Sequence, residues 1–402
     1  MPHYGTVPNA VDAYTRYMVE VFDYRQIIGV PTGFQAFFGQ NAASKTRFSP
    51  DAVDIDIDLV KASGEELAAI LPRGKVGRSL GSTQKNTSLP EWKNYNRTFP
   101  LVEEEGGIDA NQLLFRVPGE SSYSNQRTLD RMRYLFLENH QEHVRRIVRL
   151  FEYMASQSIL TGTMPAGAGE TYDFQRNANL TQGVGTTWLD ANATPIADIE
   201  GACQDLREIG YVTPDMIVMA DDTINAFVTN SDVQNLADNR RFQLIDVNSN
   251  PVPSRFMKFV DGGFRPRGRI QTPAGWDLWL FSYVDGYTDS GGSFTKYMTD
   301  GYCLICYSEA RNDRYFGPRE RMPITAQEMA WYQELFGINM NRPQLPPQIM
   351  GSPAVVPVEA FYFDAYPPAN KKSVTVRTQA APIFANVQSD AFAVLTGCAD
   401  AP

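Results

Sequence analysis

Residues 125–160 read NQRTLDRMRYLFLENHQEHVRRIVRLFEYMASQSIL. Apolar side chains recur at Leu129, Met132, Phe136, Val144, Ile147, Val148, Phe151, Met154 and Ile159, a spacing that keeps one stripe of a helix turned toward a core. Ser124 is placed to cap its start, and Gly162 stands just past its end as a left-handed terminator. A helix of this length runs about 50 Å at 1.5 Å per residue. It is a beam, and the rest of the chain has to be arranged around it.

The beam carries two features that suggest chemistry. His140 and His143 form HxxH beside Glu142 and can face one metal, but a catalytic centre needs a third ligand, and His3 is the one histidine left. A zinc hydrolase is therefore disfavoured. Six arginines between Arg127 and Arg149 could meet phosphate; interleaved with Asp130, Glu138 and Glu142, they read better as a solvated or salt-bridged face.

Upstream, PDAVDIDIDLV alternates Val53, Ile55, Ile57 and Leu59 with Asp54, Asp56 and Asp58, the pattern of a half-exposed strand. With Glu65, the aspartates also fall at positions 1, 3, 5 and 12 of a calcium loop. Leu59 occupies the position where that loop needs glycine, so the strand with an acidic face is preferred. Residues 71–96 are polar and basic. Their GKVGRS lacks the spacing of a phosphate loop, and they read as a projecting loop, followed by the acidic run Glu103, Glu104 and Glu105. Residues 1–45 hold a short amphipathic segment, Asp12 to Phe22, and then GVPTGFQAFFGQ. Apolar side chains with so little local core point to an arm that lies on another surface.

Downstream, ETYDFQRNANLT reads as a strand. IADIEGACQDLREIG reads as a helix with Ile196, Ile199, Cys203, Leu206 and Ile209 inward. PDMIVMADDTINAF, residues 214–227, is a buried strand running into a helix through Asp221 and Asp222. Such a strand end can present metal ligands or acid/base groups; the simpler reading has Asp222 capping a helix from Thr223. Two short helices reach Asn239-Arg240-Arg241, and β-rich segments follow. Cys303 and Cys306 form a CxxC within a strand, where a spacing of three sends the thiols to opposite faces, so they read as core residues. The Pro-rich NRPQLPPQIMGSPAVVP leads to final strands around SVTVRTQAAPIF and AFAVLTG. Alternating helices and strands of this kind predict an α+β fold with a central sheet.

The 402 residues are 43% hydrophobic with 20% charged, enough for more than one compact unit. Lys+Arg 36 against Asp+Glu 46 gives a net charge of −10, which disfavours gripping DNA or an anionic membrane. Four sparse cysteines and an N-terminus without the order of a signal peptide fit a cytosol-like compartment.

LFEYMASQSILTG, YDFQRNANLT and the stretch from WLDANATPIADIEG to NLADNRR together resemble the core of the phage lambda-like major capsid protein E family. RTFPLVEEEGGIDANQLLFRVPGE upstream and PPANKKSVTVRTQAAPIFANVQSDAFAVL near the end are similar to the same family, so the resemblance covers most of residues 98–241 and about 360–397. It implies the Hong Kong 97-type capsid fold, partitioned as an N-terminal arm (1–45), an extended β-hairpin loop (46–120), a peripheral domain (121–190) on a spine helix (125–160), an axial domain (191–355), and C-terminal strands returning to the peripheral domain (356–402).

The resemblance further implies a non-enzymatic subunit of an icosahedral bacteriophage head, built from pentamers and hexamers around double-stranded DNA, with no catalytic residue, metal or cofactor. Its implied partners are other copies of itself, a scaffolding protein, a portal and, in lambda-like members, a decoration protein. Its place is the virion capsid, reached through the host cytoplasm. Two alternatives stay open: an encapsulin-like compartment shell, or a carboxylate-dependent hydrolase using Asp221, Asp222 or the Asp54 series. On charge, the basic tip formed by Arg73, Lys75, Arg78 and Lys85 is expected to lie against an acidic surface of a neighbouring subunit, with Glu103, Glu104 and Glu105 as the candidate.

Overall fold

The computed structural model describes residues 32–49, 53–61, 91–115, 128–167, 169–238, 242–244, 263–289, 291–318, 361–366 and 373–399. In chain order the main elements are α1 (Gly33–Phe38), β1 (Thr46–Phe48), β2 (Asp54–Lys61), β3 (Glu91–Thr98), β4 (Val102–Asp109), α2 (Thr128–Leu160), β5 (Thr163–Gly167), β6 (Glu170–Asp173), β7 (Thr181–Gly183), α3 (Pro195–Ile209), β8 (Met216–Met219), α4 (Asp221–Thr229) and α5 (Ser231–Asp238). Then come β9 (Phe242–Leu244), β10 (Arg265–Gln271), β11 (Asp277–Ser282), β12 (Gly286–Thr288), β13 (Phe294–Lys296), β14 (Cys303–Cys306), β15 (Asp313–Phe316), β16 (Tyr362–Tyr366), β17 (Ser373–Ala380), β18 (Pro382–Ala385) and β19 (Phe392–Thr396).

The 33-residue α2 is the beam. Phe136, Val144, Ile147, Val148, Phe151, Met154, Ala155 and Ile159 are buried along one side of it, as the spacing predicts. Gly162 ends it at φ 77°, a conformation that costs a residue with Cβ. Arg176, whose guanidinium donates to the carbonyls of Ile159 and Leu160, satisfies the last turn and sets a positive charge at the negative end of the helix dipole.

The larger sheet has seven strands in the order β7-β19-β14-β8-β11-β10-β9. Side chains alternate across it. Met216, Val218, Phe281, Leu304, Cys306 and Val394 join the core shared with α1 and α2. Ile217, Met219, Leu280, Cys303, Ile305 and Leu395 join a second core under α3, α4 and α5, with Ile199, Leu206 and Phe227. Strands covered on both faces carry the continuous apolar runs seen in MIVM and CLIC. Two three-stranded sheets, β1-β15-β18 and β16-β17-β4, lie against α2, and β2 pairs with β3 as a hairpin.

Four stretches depart from the expected layout. Gly33–Phe38 is not exposed apolar chain awaiting another surface: Phe34, Phe37 and Phe38 are buried in this chain's own core. The hairpin ends at Thr98, and Val102–Asp109 pairs with β17, near the C-terminus. Among the last strands, β19 enters the seven-stranded sheet rather than packing with β16 to β18. The strand expected over 170–181 also breaks after Asp173, whose carboxylate takes the Gln175 N–H at 2.7 Å while Gln175 adopts φ 54°.

Candidate functional site

The acidic run on β4 alternates with the strand. Glu104 turns toward α2, where it meets Arg146 at 3.4 Å, and Arg146 also holds Glu142 at 3.2 Å. Glu103 and Glu105 turn the other way: Glu103 accepts from Gln379 and lies 3.6 Å from Arg377, while Glu105 accepts from the Tyr366 hydroxyl at 2.8 Å. Arg377 is held in turn by Asp364 at 3.0 Å, which keeps its guanidinium charged. The run is thus a partly exposed network within one chain. Among the described residues of this network, Glu103, Glu104, Glu105, Glu142 and Asp364 outnumber Arg145, Arg146 and Arg377. Arg73, Lys75, Arg78 and Lys85 lie outside the described residues.

The hairpin that carries those basic residues is described at its root. Ile57 and Leu59 are buried, and Asp54, Asp56 and Asp58 face outward. Asp54 accepts from Thr98 at 2.7 Å and Asp56 from Asn96 at 3.1 Å across the pair. These are cross-strand contacts of an acidic face, the strand reading of the sequence; Glu65 lies outside the described residues. Tyr172 on β6 donates its hydroxyl to the Thr98 carbonyl, and Arg97 lies 5.4 Å over its ring, which pins the hairpin root.

Asp222 is not the cap of the helix. α4 begins one residue before it, with Ala220 in the cap position and both aspartates in the first turn, where negative charge suits the helix dipole. Asp221 pairs with Arg267 at 2.7 Å, and Asp222 lies 3.2 Å from Lys296, which also binds Asp300. Each carboxylate is committed to a cation that ties α4 to β10 or β13.

His140 and His143 share one hydroxyl, Thr378 Oγ1, at 2.9 and 3.3 Å. That hydroxyl has one proton and two lone pairs, so at most one of the imidazoles accepts from it. Burial, and then the neighbouring imidazole, lower the pKa of His140 well below its ordinary value; burial also lowers that of His143, against the pull of Glu104. Cys303 and Cys306 face different cores, and burial pushes both thiols up. Among the described residues no three His, Cys, Asp or Glu side chains converge as metal ligands do. A shallow apolar notch with no room for a water, lined by Ile147, Val148, Phe151, Phe316, Phe361, Ala380 and Pro382, offers no acid or base in its wall.

Glu152 escaped the sequence reading. It is fully buried on the apolar stripe of α2 and accepts from the amides of Phe34 and Gln35 and from Tyr283. Its one sequence signal is a carboxylate placed between Val148 and Ala155 on a stripe that is otherwise apolar.

With no constellation for catalysis among these groups, comparison with known proteins carries the assignment. A family model described as phage major capsid protein E matches residues 67–330. No curated protein matches the sequence. A crystal structure assigned as the capsid protein of an E. coli CFT073 prophage has a similar fold, at 14% identity, over 96% of this chain and 98% of that one, with a TM-score of 0.59. The mature capsid of bacteriophage PhiM1 aligns at 9% identity over 88% and 85% of the two chains, with a TM-score of 0.42. The encapsulin complex of Synechococcus elongatus PCC 7942 aligns at 11% identity over 89% and 87%, with a TM-score of 0.40. The family match spans well over half of the 402 residues, and the mixed helix-and-sheet architecture around the beam is the Hong Kong 97-type capsid fold: the chain belongs to the phage major capsid protein E family.

Proposed function

We infer that this protein works by assembly with copies of itself, closing into pentamers and hexamers that tile the icosahedral head of a tailed phage around double-stranded DNA. The family match over residues 67–330 carries this reading. The physical demand on such a subunit is many modest contacts that act together, because a neighbour already in place raises the effective concentration of the next contact. The partition into arm, hairpin loop, peripheral domain and axial domain belongs to this proposal; residues 1–31 of the expected arm lie outside the described residues.

The net charge of −10 suits a wall that encloses DNA without adhering to it. The proposal extends to a scaffolding protein, a portal and a decoration protein as partners, and to assembly in the host cytoplasm. It assigns no catalysis: Asp221 pairs with Arg267, Asp222 shares Lys296 with Asp300, and both histidines are buried against Thr378.

Negative-stain electron microscopy of the purified full-length protein, with and without a co-expressed scaffold candidate, tests the reading. Closed shells or capsomer rings are expected. A monodisperse monomer at high concentration with every scaffold candidate would overturn it.

A further inference from the structure

The two oxygens of Glu152 take the main-chain N–H groups of Phe34 (2.6 Å) and Gln35 (3.1 Å) and the hydroxyl of Tyr283 (3.0 Å). The Gly33 N–H donates to the same hydroxyl at 3.2 Å, and the Gln35 side-chain amide donates to the Val148 carbonyl at 3.2 Å. Three parts of the chain, α1, α2 and the exit of β11, therefore meet at one carboxylate. The fit around it is close. A Cβ on Gly33 would stand 2.4 Å from the Phe264 ring, and the Phe34 ring packs edge-on to Phe264 at 5.6 Å and Tyr283 at 5.3 Å.

We propose that Glu152 is a proton-operated latch: protonated, it holds Gly33–Phe38 inside the chain's own core, and on ionising it loosens that hold. Two effects compete at this carboxyl. Ionised, it suits its three donors, but all of them are neutral groups and the surroundings are aromatic, so the charge loses its hydration without gaining a counter-ion among the described residues. Protonated, it gives up part of one acceptor and escapes the desolvation cost. Burial wins over the opposing hydrogen bonds from Phe34, Gln35 and Tyr283 and moves the carboxyl from 4.5 to about 7.

The other ionisable groups around the latch do not reverse this. Tyr283 and Tyr297 face it from the sheet side, and burial, then the Glu152 charge, raise both hydroxyls, so they stay neutral. Asp285, raised by burial, acts on both tyrosines as a further negative group, with Arg265 opposing it. Arg149 on α2 and Tyr287 act on Tyr297.

The docked form thus binds the proton more tightly than the released form. Docking is strongest below pH 4.5 and weakens by about 300-fold as pH rises to about 7 and beyond, where it levels. Release would present Phe34, Phe37 and Phe38, now buried, to solvent or to another copy. The latch operates within one subunit and does not depend on the assembly reading.

Hydrogen exchange read by mass spectrometry on the full-length protein between pH 5 and 8, corrected for intrinsic exchange rates, tests it. Protection of residues 33–38 is expected to fall about tenfold per pH unit and to level near pH 7, while amides at Val144–Phe151 on α2 keep theirs. Glu152→Gln should remove the slope. Tyr283→Phe, which takes one donor from the carboxylate, should move the levelling point to higher pH. A flat profile in the wild type, or the same slope in Glu152→Gln, overturns the latch. Should Glu152→Gln fail to fold, an unmoved levelling point in Tyr283→Phe overturns it equally.

Discussion

Single residues in this chain act mostly through how little room they leave. Gly33 sits where any side chain would enter the Phe264 and Tyr283 rings, at 2.4 and 2.7 Å, and those rings are already packed against Phe34. Gly33→Ala is expected to destabilise the protein by about 1–3 kcal/mol, the usual cost of adding a methyl to a filled core. A lower urea midpoint with an unchanged slope would show it; an unchanged midpoint would mean that the rings yield freely. Nothing near Gly33 in the sequence announces this, because both rings come from residues more than two hundred positions later. Gly162, by contrast, was legible, since its task is local: it closes the helix that precedes it. Glu152 lies between these cases. Its place on an apolar stripe marks it as unusual, but its donors sit 118 and 131 residues away, and only the folded chain brings them together.

At the scale of elements, α2 was readable because its burial repeats with the period of the helix, and the MIVM strand because it is a short continuous apolar run bounded by Pro214 and the Asp221-Asp222 pair. α1 was not, for a physical reason. All six of its residues are buried, so no polar face alternates with an apolar one, and a helix without two faces has no period to detect. β4 was taken into the hairpin because its partner, β17, is far along the chain. The seam between α2 and β17 also gives this level its prediction. His140, beneath Phe363 and against Thr378, has a folded pKa below its unfolded 6.5, and His143 is shifted the same way under the opposing influence of Glu104, Glu105 and Glu142 and the added influence of Arg146. The unfolded chain therefore takes up protons first as pH falls. Stability from this seam is complete above pH 6.5 and is lost progressively below it. The seam shows as a difference: from pH 7.5 to pH 5 the urea midpoint of the wild type should lose ground relative to that of His140→Gln, and an equal pH dependence of the two proteins would remove the seam's contribution. The slope is opposite in sign to that of the Glu152 latch, so hydrogen exchange resolved along α2 can separate the two.

For the molecule as a whole, the long helix, the two-sided sheet and the family are legible in the sequence, while the pairing of charges between distant strands is not. Glu103, Glu104 and Glu105 looked free in the sequence. In the fold they are already engaged with Arg377, Arg146 and Tyr366, yet carboxylates remain in excess around them. The proposal that a basic tip from a neighbouring copy meets this run therefore concerns a surface whose charge is partly spent. Exposed pairs of this kind contribute about 0 to 1 kcal/mol each and weaken with salt. One such contact decides nothing; in the proposed shell it would recur at every subunit. Replacing Arg73, Lys75, Arg78 and Lys85 together with Gln should therefore leave the urea midpoint of the subunit unchanged while lowering the yield of assembled particles, measured by sedimentation at moderate salt. Raising the salt should reduce the wild-type yield toward that of the variant. An equal yield from the two proteins at low salt would show that the tip plays no part in holding neighbours, and the search for the contact would move to the outward carboxylates of β2.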